Sequence, residues 1–165
     1  MIMFVLLMAI GGIVAFAAVS DAATLTIPNW ISLSLLGLFP VVALVSGMDL
    51  AGMGTHLAIG AAALIMGIVL YSLRLIGGGD AKFLAGVSLY VGLPALVPFL
   101  FNVLMAGGVL AIVLMVARRI SALGYSMDWF LQFTRGGSVI PYGIAIAFGA
   151  LSILPSVEIF SSAGI

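Results

Sequence analysis

The chain has 165 residues, of which 65% are hydrophobic and only 6% are charged, with five acidic residues balancing five basic ones. So little charge excludes a water-soluble globular domain and predicts an integral membrane protein, which we treat as a single domain over residues 1–165. The zero net charge argues against nucleic acid as a partner, and the absence of cysteine excludes disulfides, thiolate metal sites and a cysteine nucleophile.

The first apolar run, residues 2–20, is long enough to cross ~30 Å of hydrocarbon as a helix that rises ~1.5 Å per residue. It has no basic region and no convincing cleavage site, so we interpret it as a retained span and not as a signal peptide. The run ends on Asp21, which is preceded at helical spacing by Gly11, Val14, Ala17 and Ala18. This stripe predicts close packing and indicates that Asp21 faces the bundle and not the lipid.

The next part of the chain predicts, in order, a polar connector, a second span, a turn and a third span, at residues 22–29, 30–46, 47–52 and 55–73. Pro40 is expected to kink the second span. His56 stands near the start of the third span, and no second metal ligand accompanies it. We therefore interpret His56 as an interfacial polar residue.

Residues 77–82 gather three glycines, a carboxylate and an ammonium in an otherwise apolar chain. A carboxylate at the edge of a membrane-buried helix is costly unless it is paired or solvated, so Asp80 is a candidate functional residue. The glycines allow a second chain to approach the backbone closely, and we place them in the turn that enters the next helix. Lys82 projects to another side of that helix and is interpreted as an anchor at the membrane surface.

The apolar run at residues 83–117 is long for one crossing, and Gly92, Pro94 and Pro98 predict a hairpin in its middle. A polar segment at 118–138 follows, and it is expected to lie at the membrane interface as an amphipathic piece with Trp129, Phe130 and Phe133. A last span is predicted at 139–154.

Charge distribution favours six spans over five, because cytoplasmic loops collect Lys and Arg. Six spans with the N-terminus outside put every basic side chain in the cytoplasm: Arg74, Lys82, Arg118, Arg119 and Arg135. One long span in place of the hairpin would put the last three outside. The predicted fold is thus an all-α polytopic membrane bundle of about six helices. Asp21 and Asp80 then share the cytoplasmic side, while Asp49, His56 and Glu158 lie on the opposite side.

Two carboxyl groups that share a water-poor site cannot both ionise cheaply, so the pair is expected to hold one proton between them. One carboxyl can then act as a base toward water while the other acts as an acid toward a peptide carbonyl. This chemistry is aspartic proteolysis, and it needs neither a metal nor a cofactor. Which of the two carries the proton stays open.

Three motifs follow Asp21 in order along the chain: Ile27-Pro28-Asn29, then Gly77-x-Gly79-Asp80-x-Lys82, then Pro141-Tyr142-Gly143. With them the chain resembles the prepilin peptidase family, and it is most similar to the short peptidases of tight-adherence (Tad/Flp) pilus systems. The resemblance implies a multi-pass aspartic endopeptidase of the bacterial inner membrane. Such an enzyme removes the basic leader of prepilins and pseudopilins at the cytoplasmic face, with Asp21 and Asp80 catalytic. The other motif residues are implied to bind substrate or to shape the site.

The chain departs from that family in two places. Leu25 and Thr26 stand where relatives often carry a basic residue before Ile-Pro-Asn, so binding near this loop is expected to differ. The larger relatives carry a cysteine-bearing cytoplasmic segment and an N-methyltransferase activity, but the connector here is short and lacks cysteine. Methyl transfer is therefore not implied.

Two other functional classes stay open at this point. A small transporter or channel subunit would also bury acids, although near the middle of the membrane. A non-catalytic assembly component of a pilus or secretion system could keep the same motifs. The remaining acids, Asp49, Asp128 and Glu158, are interpreted as solvated loop charges, and the sequence leaves the oligomeric state open.

Overall fold

The computed structural model describes residues 1–122 and 140–161, and every regular element in these two ranges is helical. The elements are α1 (Ile2–Thr24), α2 (Asn29–Val45), α3 (Leu50–Ser72), α4 (Gly78–Ala122), α5 (Tyr142–Ile153), a 3-10 turn (Leu154–Ser156) and α6 (Glu158–Ser161). Helices α1, α3 and α4 are each long and apolar enough to cross a membrane, and α2 and α5 are shorter apolar helices. The predicted all-α membrane helix bundle is confirmed.

Helix α4 is interrupted at Gly92, whose φ of 70° and ψ of 169° are not helical. The segment before Gly92 runs antiparallel to α3, because Leu89 packs against Gly60 in the middle of α3 and Ala81 packs against Gly67 nearer its end. We call this segment the first half of α4 and the remainder the second half.

The second half of α4 runs antiparallel to α5. Val103 packs against Gly149 late in α5, while Gly107, farther along α4, packs against Tyr142 at its start. Because both the first half of α4 and α5 begin beside Asp21, the second half must return toward Asp21. The chain therefore reverses direction at Gly92, as the predicted hairpin requires.

The bundle thus has two ends, which we call the aspartate end and the histidine end. The chain passes between them six times, in α1, α2, α3, the two halves of α4, and α5. The basic residues that the structure describes all lie toward the aspartate end: Arg74, Lys82, Arg118 and Arg119. His56 and Glu158 share a cavity at the histidine end. The predicted separation of charges therefore holds for the described residues.

Aromatic side chains fill the interior of the bundle, where five of them are almost completely buried: Phe39, Phe83, Tyr90, Phe99 and Phe160. The hydroxyl of Tyr90 donates a hydrogen bond to the carbonyl of Leu35, which satisfies the buried phenol. Tyr90 also contacts the rings of Phe39 and Phe160. These contacts join α2, the first half of α4 and the C-terminal segment at the histidine end.

Several predicted boundaries are wrong. Helix α1 continues to Thr24, so the connector to α2 spans only residues 25–28. Helix α3 begins at Leu50 because the carboxylate of Asp49 accepts the Gly52 N–H at 2.8 Å and caps the helix. Gly78 and Gly79 belong to the first turn of α4 and not to the turn before it. The predicted interfacial segment with Trp129, Phe130 and Phe133, like Asp128 and Arg135, lies outside the described residues.

The arrangement predicts the outcome of reporter fusions. Because the basic residues gather at the aspartate end, fusions near Leu75 or Ser121 should report a cytoplasmic location. Fusions after Leu50 and at the C-terminus should report the opposite side. Alkaline phosphatase and fluorescent-protein fusions measure this directly. An external location for the Ser121 fusion would contradict the reversal at Gly92.

Candidate active site

Asp21 lies in the last turn of α1 and is 3% exposed, on the same buried face as Val14 and Ala17. Its Oδ2 accepts a hydrogen bond of 2.7 Å from the backbone N–H of Gly143. The first amides of a helix have no partner within the helix and carry its positive dipole end. Asp21 therefore caps α5 from a helix that is far away in sequence.

Asp80 lies in the first turn of α4 and is 7% exposed. Its Oδ2 accepts the N–H of Gly77 at 3.0 Å, while the N–H of Ala81 donates to the carbonyl of Gly77 at 3.1 Å. An acid that reaches back from the third helical position to the capping residue is half of a capping box. Asp80 thus stabilises the start of the helix that carries it.

The two carboxyls line one cavity of about 310 Å³ at the aspartate end. Its described lining consists of Asp21, Leu25, Thr26, Ile27, Asn29, Gly77, Gly78, Gly79, Asp80 and Ile140. The Gly143 N–H donates to Asp21 and the Gly77 N–H donates to Asp80, so a backbone amide holds each carboxyl at the cavity. The site therefore places two acids from different helices around one cavity, each held by its own backbone donor.

Glycine is required where the backbone meets these carboxyls. A Cβ on Gly143 would lie 2.7 Å from Oδ2 of Asp21, and one on Gly77 would lie 3.0 Å from Oδ2 of Asp80. A Cβ on Gly79 would lie 3.3 Å from the carbonyl oxygen of Ile27. Gly78 differs, because its Cβ would meet only the Tyr71 ring at an ordinary 3.5 Å.

A family model described as the type IV leader peptidase family matches residues 4–112. This range covers more than half of the chain and includes both Asp21 and Asp80. The chain belongs to the type IV leader peptidase family. No curated protein and no solved structure matches it. Membership indicates a membrane-associated peptidase whose substrates are prepilins.

The Ile27-Pro28-Asn29 motif of this leader peptidase joins the site to α2. Ile27 is buried against Gly79 and Gly143, and Pro28 is the N-cap residue of α2. Asn29 opens α2, and its Oδ1 accepts a hydrogen bond of 2.9 Å from Nζ of Lys82. The motif therefore fixes the start of α2 beside Gly79 and Gly143, which Ile27 contacts. It also holds the Lys82 ammonium outside the cavity.

Five of the residues singled out from sequence do not line the cavity directly: Pro28, Lys82, Pro141, Tyr142 and Gly143. Pro141 is the N-cap residue of α5, and the Tyr142 hydroxyl packs where a Cβ on Gly107 would lie. Gly143 stands behind Asp21 and acts through its amide. These residues position the start of α5 against α1 and the second half of α4.

Sequence reasoning missed Ile140, treated Gly78 only as one of three glycines in a turn, and named Leu25 and Thr26 only as departures from the family pattern. Ile140 immediately precedes the Pro141-Tyr142-Gly143 motif, so its place in the chain was a usable signal. Leu25 ends α1 with a left-handed φ of 54°, which turns the chain back over Asp21. No pattern in the sequence marks a leucine for that conformation.

Neither carboxyl belongs to a cluster of metal ligands in the described part of the leader peptidase. Within residues 1–122 and 140–161, no group of three or more His, Asp or Glu side chains could hold a metal ion. Asp49 and His56 are occupied elsewhere, the first as the cap of α3 and the second by the carbonyl of Leu89. The chemistry that these residues can supply at the site is that of two carboxyl groups.

Proposed function

We propose that this leader peptidase is an aspartic endopeptidase in which Asp21 and Asp80 form the catalytic pair. Its substrates are prepilins and pseudopilins of the Flp type, cleaved at the cytoplasmic face of the bacterial inner membrane. One observation carries the catalytic assignment. Two nearly buried carboxyls from different helices line a single cavity at one end of the bundle.

The pair can carry out hydrolysis without a covalent intermediate. The ionised carboxyl takes a proton from a water as the water oxygen bonds to the peptide carbonyl carbon. The protonated carboxyl gives its proton to the carbonyl oxygen, which forms a neutral diol. Collapse of the diol breaks the C–N bond while a proton passes to the leaving amine. The pair acts as one titrating unit, so we assign no fixed starting proton to either Asp21 or Asp80.

Capping alone does not account for this arrangement. Serine, threonine or asparagine caps a helix as well as aspartate does, without the repulsion that two neighbouring carboxyls create. A transporter is disfavoured because its acids would be expected near the middle of the membrane. Asp21 and Asp80 instead lie at the end of the bundle where Arg74, Arg118 and Arg119 also lie.

The side of the membrane on which cleavage occurs is inferred from the distribution of charge. The substrate class is inferred from the order of the motifs. Basic residues collect on the cytoplasmic side of a membrane, and those that the structure describes lie toward the aspartate end. The site would therefore meet the basic leader of a prepilin on the cytoplasmic side. The Flp-type assignment follows from the three motifs and the short, cysteine-free connector after Asp21.

The direct test is co-expression with a candidate Flp-type prepilin in a strain that lacks other prepilin peptidases. The expected result is a prepilin that migrates faster on a gel, with a new N-terminus that sequencing places at the leader junction. The experiment requires an immunoblot that shows the leader peptidase in the membrane. An unprocessed prepilin in its presence would overturn the proposed function.

A purified preparation should keep its activity after treatment with EDTA or N-ethylmaleimide. No cysteine is present to react with the maleimide, and the proposed pair acts on water without a metal. A carboxyl-directed carbodiimide should remove the activity. Leader removal from a prepilin in detergent is the measurement. Loss with EDTA that added metal restores would contradict the assigned roles of Asp21 and Asp80.

A further inference from the structure

A second cavity, of about 620 Å³, lies between α2 and α3 on the surface of the first half of α4. We call it the α2–α3 groove, and its lining consists of Asn29, Ser32, Leu33, Leu36, Leu57, Gly60, Ala61, Leu64, Lys82, Ala85, Gly86 and Leu89. Only Asn29, Ser32 and Lys82 in this set are polar. Of the five leucines, all except Leu89 are exposed, so the groove is an apolar part of the outer surface of the bundle.

The groove extends along the bundle between a ring contact at the histidine end and a hydrogen-bonded polar pair at the aspartate end. Helices α2 and α3 each pack against α4 but scarcely against each other. At the histidine end the ring of Phe39 from α2 stacks on His56 from α3 with centroids 5.9 Å apart. Toward the aspartate end the groove reaches Asn29 and Lys82, which form a polar boundary across its mouth.

The groove and the catalytic cavity are adjacent, and one side chain lines both. Asn29 lines both of them, and it is the first residue of α2. Its Oδ1 is tied to Nζ of Lys82 at 2.9 Å, so the polar boundary lies next to the Asp21 and Asp80 carboxyls. An apolar segment that ends at this boundary would have its next residues beside the catalytic cavity.

We propose that the α2–α3 groove seats the apolar helix of the prepilin substrate and that Asn29 marks the point where the substrate leaves it as an extended chain. This inference rests on the proposed function. A helix has its backbone amides and carbonyls bonded internally, so a peptide bond must lie beyond the helix before a carboxyl pair can reach it. The polar boundary at Asn29 and Lys82 fixes where that helix stops, and thereby which bond meets Asp21 and Asp80.

The size and chemistry of the groove suit this occupant. The volume of about 620 Å³ lies within the ~300–1,000 Å³ of ligand cavities and is too small for a whole membrane-spanning helix, so the groove takes one face of the helix. Its lateral opening faces the surface that lipid would cover, where a membrane-anchored substrate arrives. A lipid chain is the competing occupant, but a lipid would not require a groove that ends beside the catalytic cavity.

Two neighbouring alanines of α3 give a matched test. Ala61 lines the groove, whereas Ala62 is also exposed but lies outside the lining. Trp at 61 fills the groove, so Ala61→Trp should slow processing of a full-length prepilin about tenfold, which corresponds to ~1.4 kcal/mol. Ala62→Trp should stay within about twofold of wild type, since most surface changes cost little. Equal processing by the two variants, at equal membrane abundance, would overturn the groove assignment.

A photo-crosslinking amino acid at position 61 or 62 detects binding of the substrate without requiring cleavage. In an Asp80→Asn background, the probe at position 61 should capture the apolar helix of a full-length prepilin, and the probe at 62 should not. Capture of lipid alone at 61 would overturn the inference. If wild-type protein cleaves the prepilin but Ala61→Trp has no effect, only the groove assignment fails. If wild-type protein cleaves no prepilin, the proposed function and this inference fail together.

Discussion

Asp21→Asn and Asp80→Asn are each expected to lower prepilin cleavage by about 10³-fold, within the range lost when an acid–base group is removed. Asparagine has nearly the volume of aspartate and keeps a carbonyl oxygen. That oxygen can still accept the Gly143 N–H in one variant and the Gly77 N–H in the other. Each change therefore removes one carboxyl of the proposed catalytic pair while the helix caps remain.

Asp49→Asn is the matched control for these variants. Asp49 caps α3 at the histidine end through the Gly52 amide, and asparagine caps a helix as well as aspartate does. Its cleavage rate should stay within about twofold of wild type, as surface substitutions outside a site usually do. Initial rates of leader removal at equal membrane abundance are the measurement. Near-normal cleavage by either pair variant would refute the catalytic assignment.

The helical passes of this bundle were predictable because apolar length and breakers are local properties of the sequence. Gly92 shows this well: glycine next to two prolines predicts a turn, and the structure has Gly92 at a φ of 70° with the chain reversing there. The small-residue face of α1 likewise predicted that Asp21 is buried in the bundle, and the structure shows Val14 and Ala17 on the same face. The ends of the helices were less predictable. Asp49, for example, was interpreted as a solvated loop charge, but in the structure it caps α3.

The contacts that complete the site were not predictable, because they join distant parts of the chain. The hydrogen bond from Gly143 to Asp21 spans 122 residues, and no periodicity or spacing encodes it. The motif around Gly143 was recognised in the sequence, but the sequence did not show why glycine is needed at this position. Glycine is needed there because a side chain would occupy the space of the Asp21 carboxyl.

For His56, the sequence predicted the location of the side chain but not the hydrogen bond that it makes. Its position near the start of α3 suggested an interfacial polar residue. In the structure its Nδ1 donates to the carbonyl of Leu89 at 2.6 Å. The break at Gly92 removes the helical continuation that would have supplied this carbonyl with a partner. His56 therefore satisfies a carbonyl at the hairpin, a role that only the folded chain reveals.

Gly143→Ala is expected to produce a loss of cleavage out of proportion to its effect on stability. The added Cβ would lie 2.7 Å from Oδ2 of Asp21 and 2.6 Å from Cδ1 of Ile27, so α5 or Asp21 must shift. Either shift weakens the Gly143 N–H bond and moves the carboxyl relative to Asp80. A displacement of ~1 Å in a catalytic group can cost about 100-fold in rate, which is the loss we expect.

Two other glycines separate this effect from general damage to packing. A Cβ on Gly149 would lie 2.5 Å from Val103 Cγ2 and 3.2 Å from the carbonyl of Phe99, toward the histidine end, so Gly149→Ala should lower the melting temperature. A Cβ on Gly108 meets nothing within 4 Å, so Gly108→Ala should change neither property. Thermal unfolding in detergent and initial cleavage rates should be measured for all three variants. The remaining folded fraction of Gly149→Ala should cleave at close to the wild-type rate, because its clash is remote from Asp21. The cleavage rate of Gly143→Ala should also be corrected for the fraction of the protein that is folded. If that corrected rate is normal, the close approach of α5 to Asp21 contributes to stability and not to catalysis.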